Sequence, residues 1–292
     1  TRERVRQLEK AVVIRLKTAS DSKNLPHLEE MQKVLKEHLS AMGNVARIQD
    51  LSAKISKDNS RVDQARVSFL ALLSPKLVVI DDNDNFYHSV GQSEFHNEKK
   101  LKDQVANIID AISKIGEPVS IEAVAQTINS TDVNHLKALA GTSKHLASLN
   151  GRWGLIKWPM VNPKNIRDKI YVILKEQGKH MHFNEIAKAI KDSSFKRKDV
   201  TTQAIHNELI KDKRFILIGR GIYALKEWGY EKGTVADIIT DVLKKAKEPL
   251  HRDEIVKRVL KSRYVKETTI LLNLQGKQQF KRVAKATYTL AN

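Results

Sequence analysis

The sequence predicts a mainly α-helical chain with short β-hairpin wings, built as tandem winged helix-turn-helix modules. Three observations carry that prediction. Apolar residues recur at helical spacing in successive blocks; each block closes on a short strand, tight turn and strand; and the plan returns along most of the 292 residues. A chain of this length usually holds two domains, but such repetition favours several small ones.

Taken in order, Thr1 to Thr18 reads as a helix with Val5, Leu8, Val12 and Leu16 along one side and Arg2, Arg6, Lys10 and Lys17 around the rest. Its run TRERVRQLEKAVVIRLK resembles the recognition helix of the promoter-reading C-terminal domain of primary-class sigma factors. The resemblance implies that Arg2, Glu3 and Gln7 touch bases of an upstream promoter element and that Arg6 and Lys10 lie near phosphates. The chemistry agrees, since Arg suits guanine, Gln suits adenine and Glu accepts from cytosine in the major groove. The supporting helix that precedes this one in the sigma pattern is missing, and a chain opening on Thr rather than Met reads as a fragment or processed product. Residues 1–27 are thus expected to be one recognition helix and a polar linker.

Residues 28–90 read as a degenerate winged helix, with a helix through Leu39, further helices near Arg47 to Ile55 and Ser60 to Leu73, and strands Leu77 to Ile80 and Phe86 to Val90. Its turn, Asp81-Asp82-Asn83-Asp84-Asn85, is acidic and would repel phosphate, so this wing is expected to be structural or protein-facing. Residues 99–158 repeat the plan. Gly116 and Pro118 stop the first helix, Ser120 caps a second, Gly141 is expected to break the third, and the return strand runs from Arg152 to Trp158. Trp158 and Trp228 are expected to be hairpin core.

Residues 166–228 show the module most clearly. Ile166, Ile170, Ile173 and Leu174 form the buried stripe of a first helix that exposes Arg167, Lys169 and Lys175; Asn184 is placed to cap the second; and the third packs Ala204, Ile205, Leu209 and Ile210 inward. Gly219-Arg220-Gly221 turns the hairpin. HFNEIAKAI with QAIHNELIKDKRFILIGRGIYALKEWGY resembles the HARE-type helix-turn-helix domain, which occurs in the delta subunit of bacterial RNA polymerase and in chromatin and restriction proteins. That resemblance implies a transcription or DNA-associated module. Residues 234–292 repeat it, with ETTILLNLQGKQQFKRVAKATYTL again resembling the HARE ending.

The formal charge is +18, and residues 166–228 and 234–292 carry 14 basic against 8 acidic and 13 against 6 side chains, whereas residues 30–90 balance at 8 and 8. Polyanion contact is therefore expected in the opening helix and the C-terminal half. Thr201, Thr202, Gln203 and His206 are the expected groove residues of one third helix, with Arg220 on a phosphate or minor groove; Lys266, Thr268 and Thr269 are their counterparts in the last module. The absence of cysteine excludes disulfides and thiolate metal sites. No apolar run reaches the roughly 18 residues of a membrane span. No phosphate loop or dinucleotide fingerprint is present. His180 with His182, and His135 with His145, lack carboxylate partners at metal spacing. The expectation is a non-enzymatic DNA-binding transcription factor, sigma-like or polymerase-associated, cytoplasmic and nucleoid-associated. Its partners would be double-stranded DNA and RNA polymerase core, with no cofactor, small-molecule substrate or membrane. The alternatives are a DNA-binding module of a restriction or modification-sensing system and a protein-interaction adaptor.

Overall fold

The computed structural model describes residues 1–22, 24–195, 197 and 199–291; Asn292, the last residue assigned to the fourth module, lies outside them. The chain is mainly helical, with four small antiparallel three-stranded sheets among the described residues. It opens on a long helix, α1 (Arg2–Asp21), capped by the Thr1 hydroxyl. One element order then occurs four times. It runs α2 (Leu28–Ala41), β1 (Val45–Arg47), α3 (Ile48–Ile55), α4 (Arg61–Leu73), β2 (Leu77–Ile80), β3 (Ser89–Gln92). It returns as α5 (Glu98–Ile115), β4 (Val119–Ser120), α6 (Ile121–Thr127), α7 (Val133–Thr142), β5 (Leu146–Leu149), β6 (Arg152–Leu155). The third copy is α8 (Ile166–Gln177), β7 (Met181–His182), α9 (Phe183–Asp192), α10 (Thr202–Lys211), β8 (Phe215–Gly219), β9 (Ile222–Leu225). The fourth is α11 (Val235–Ala246), β10 (Leu250–His251), α12 (Arg252–Ser262), α13 (Glu267–Gly276), β11 (Phe280–Ala284), β12 (Thr287–Leu290).

In every sheet the last strand lies in the middle, in orders β1-β3-β2, β4-β6-β5, β7-β9-β8 and β10-β12-β11. The first strand of each is only two or three residues long, so it tacks the start of the second helix to the hairpin. Local chemistry sets the ends. Ser60 and Asp63 form a capping box on α4, Thr234 and Asp237 another on α11, and Gly116 and Gly178 end α5 and α8 with left-handed backbone. The hairpin of the first copy begins pairing later than its pattern indicates: Tyr87 and His88 precede β3, and Phe86 instead bridges to Ser143.

The copies are grouped in pairs. The chain divides into two compact units, Thr1–Asn162 and Pro163–Asn292. Within the first, Val45, Ile80 and Phe86 belong to the same buried cluster as Ile108, Ile112 and Leu139 of the second copy, so the two modules share a core and are not separate beads. Within the second unit, Arg263 donates to the Leu217 carbonyl at 3.4 Å, and His180 lies against Tyr264 with ring centroids 4.4 Å apart. The first hairpin there is covered on a second side by Trp228 and Tyr230, which pack on Ile216, Ile218 and Ala224.

Candidate nucleic-acid interface

The third helix of each copy is where a groove-reading surface would be built, and each buries one stripe and turns another outward. In α10, Ile205 and Leu209 are fully buried, each burial stabilising by roughly 1.5–3 kcal/mol. Gln203, Asn207 and Ile210 lie on the opposite arc and are exposed. Gln203 Nε2 donates to Asn207 Oδ1 at 3.1 Å, aligning the two carboxamides. In α13 the buried pair is Ile270 and Leu274, and the outward trio is Thr268, Leu272 and Gln275. Corresponding positions of α7 are Asn134, Ala138 and Gly141; Asn134 is exposed, and the first copy lies against this face at Ala138 and at the backbone carbonyls of Asn134 and Gly141. Gly43 sits so close that an added Cβ would lie 2.6 Å from the Asn134 carbonyl oxygen and 3.0 Å from Ala138 Cβ. Arg47 Nε donates to the Gly141 carbonyl, and His135 Nδ1 meets the Gly43 carbonyl at 2.8 Å.

Of the residues expected in the groove, Gln203 is exposed, Thr202 is half-buried, and Thr201 is the N-cap, its hydroxyl accepting from Ala204 N–H at 3.2 Å. His206 is not presented to solvent as its place in the sequence suggests. It is half-buried against Phe183 at 4.8 Å between centroids and edge-on to Tyr223 at 6.1 Å, because its position flanks the buried stripe. Arg220 is exposed at the turn between β8 and β9. The turn abuts the α12–α13 connection, where Gly219 lies 3.3 Å from the Tyr264 carbonyl oxygen, measured to an added Cβ. Lys266 and Thr268 are exposed, whereas Thr269 is half-buried and its carbonyl accepts from Asn273 at 2.8 Å. Lys281, Arg282 and Lys285 crowd the last hairpin, all exposed.

Several side chains depart from their expected places. Ile210 is 65 % exposed, since the apolar stripe of α10 ends at Leu209. Lys169, expected outside, is 4 % exposed, and its ammonium donates to the Arg197 carbonyl at 2.6 Å. Burial, reinforced by Arg197, holds its pKa below the ordinary lysine value. The cap of α9 is His182, with Nδ1 accepting from Asn184 N–H at 3.2 Å and the Glu185 carboxylate accepting from the His182 N–H, so Asn184 is inside the helix. Gly141 does not break α7 but lies within it, its backbone carbonyl accepting from Arg47 Nε.

On α1, Arg2, Glu3, Arg6, Gln7 and Lys10 share one arc and are exposed. Glu3 engages both Gln7 Nε2 at 3.5 Å and Arg6 Nε at 3.6 Å. Val5, Leu8 and Val12 on the other arc are more than half exposed, and the helix is fastened near its end by Ser20 Oγ donating to the Leu73 carbonyl at 2.8 Å. The acidic turn between β2 and β3 faces the second copy: Asp82 pairs with Lys144 at 2.9 Å and Asn85 Oδ1 with His145 Nε2 at 2.8 Å. Among the described residues no helix is long and apolar enough to cross a membrane. The sequence matches no protein-family model and no curated protein.

Proposed function

We propose that the chain is a DNA-binding protein of transcription initiation or its regulation, composed of four winged helix-turn-helix modules. In this reading the third and fourth modules read duplex DNA, and the first two form a protein-facing platform for RNA polymerase core. Recognition helices α10 and α13 enter the major groove while the hairpins and Arg220 meet the backbone. Gln203 and Asn207 have the donor and acceptor pair that suits adenine, and Leu272 and Ile210 offer apolar surface to thymine methyls.

The observation that carries this reading is the contrast between third helices. The outward faces of α10 and α13 are open beside cationic hairpin residues, whereas that of α7 is covered at Ala138 by Gly43 and meets Arg47 at the Gly141 carbonyl. The resemblance of α1 to a sigma recognition helix supports a promoter as the target. It assigns Arg2, Glu3 and Gln7 to bases and Arg6 and Lys10 to phosphates.

The test is duplex binding by the full chain, titrated with salt, for the native sequence and for Lys281→Gln/Arg282→Gln/Lys285→Gln. Each phosphate interaction that the substitutions remove should flatten the logarithmic salt dependence by about one unit of slope. Salt-insensitive binding, or none, would instead support the protein-interaction adaptor.

A further inference from the structure

A hollow of about 610 Å³ in the first unit lies between α4, the start of α3 and the residues leading into β3. Its size is that of a small-ligand pocket rather than of a packing defect. One wall is a cation-on-ring platform, with the Arg47 guanidinium 3.8 Å above the Tyr87 ring and Lys144 beyond it at 5.5 Å. Phe69 stands on the α4 side, 44 % exposed for a residue that could have been polar at no cost to the core. Ser68 Oγ and His88 Nε2, 2.9 Å apart, supply a hydroxyl–imidazole pair. Arg61 also lines the hollow and has no ion-pair partner among the described residues.

The charge balance favours an anion. The one carboxylate lining the hollow, Asp82, is held by the Lys144 ammonium at 2.9 Å, which leaves Arg47 and Arg61 uncompensated. The shape and remaining chemistry favour a flat aromatic group: a phenyl ring and a guanidinium plane are both stacking surfaces for a base. Gln64, whose Nε2 donates to the Asn59 carbonyl at 3.1 Å, also lines the hollow and adds a carboxamide to its polar groups. Anion and aromatic together describe one ligand class.

We propose that this hollow binds a nucleoside phosphate, with the base against Phe69 and the phosphate on Arg61, presented as a free nucleotide or as an unpaired nucleotide of a single strand. The site belongs wholly to the first unit and does not rest on the duplex reading of the second.

The experiment photo-crosslinks an azidoadenosine triphosphate to the full chain, maps the adduct by mass spectrometry, and competes it with unlabelled ATP or with a short single-stranded oligonucleotide. Arg61→Glu and Phe69→Ser are the variants, both at exposed positions, with thermal melting as the folding control. The expected result is saturable labelling within residues 61–69 or at Tyr87, weakened roughly tenfold by either variant with melting unchanged, the size of effect that loss of one stacked base or one charge produces. Competition by ATP assigns the site to free nucleotides, and competition by the oligonucleotide alone assigns it to strands. Absence of saturable labelling, labelling confined to other residues, or labelling indifferent to both variants would overturn the proposal.

Discussion

α7 and α10 occupy the same place in their modules and differ in what their outward faces are for. On α7 the outward positions are Asn134, Ala138 and Gly141, and a neighbouring module's backbone at Gly43 lies against Ala138 and the Asn134 carbonyl while the Asn134 side chain is exposed. On α10 the same positions are Gln203, Asn207 and Ile210, all exposed. A small residue on a helix surface lets another backbone approach; a carboxamide on the same surface offers hydrogen bonds to an outside partner. One fold plan thus braces a neighbouring module at α7 and leaves an open face at α10. The charge follows the same division, balanced across residues 30–90 and strongly basic in the last two modules.

The largest effect is expected from a side chain placed between Gly43 and α7. Gly43 has φ +90°, which an L side chain adopts only with strain, and its Cβ would collide with a backbone carbonyl that cannot step aside. Gly43→Ala is expected to destabilise the first unit by about 4 kcal/mol, since strain and steric overlap add. Thermal melting of the full chain should show a first transition moved well down in temperature, with duplex affinity at a permissive temperature retained.

Next in size is a pH effect confined to the same junction. His96 is 2 % exposed, stacks on His135 of α7 at 5.0 Å between centroids, and has the half-buried Gln104 side chain as the one neighbour that favours its charged form. Burial, with His135 and Lys100 adding to it, lowers its pKa to about 4. The unfolded chain binds this proton near 6.5 and the folded chain only near 4, so stability is full above about pH 6.5. It is lost as pH falls toward 4, by up to about 3 kcal/mol. Chemical denaturation of the full chain at a series of pH values should show the loss in the first unit, and His96→Leu should flatten it. An unchanged slope in that variant would mean that other groups carry the acid sensitivity.

How far the sequence shows this division can be argued from particular residues. The four-fold plan is legible because buried stripes such as Ile238, Ile239 and Leu243 fall at helical spacing and caps such as Ser120 and Thr201 stand at the predicted starts. The assignment of faces is not. Ile210 looks like core from its apolarity, and only its position past Leu209 turns it outward. Lys169 looks like surface, yet its long stem packs inward and its ammonium finds a carbonyl. Gly141 reads as a helix break because glycine usually is one, yet α7 runs through it to Thr142 and its carbonyl accepts from Arg47, 94 residues away. His182 as a cap competes with Asn184 only two residues on, too close for pattern to separate. Strands of two residues, such as β7, carry no periodicity to detect. What pattern does not supply, in each case, is the identity of a distant neighbour.

The smallest expected effect is on base reading by α10. Gln203→Ala removes one carboxamide from an exposed position, touches no buried stripe, and leaves Asn207 without its 3.1 Å partner. Folding stability should change by no more than about 0.5 kcal/mol, as for other surface sites. If α10 reads bases, affinity for a preferred duplex should fall by about 1 kcal/mol or more while random duplex is held as before, because removing a base-reading group costs discrimination and leaves the phosphate interactions alone. Asn134→Ala, the same truncation at the matching position of α7, should leave both duplexes bound as by the native chain. Equal losses for the two variants in a competition assay would mean that the outward faces of α10 and α7 do not differ in function.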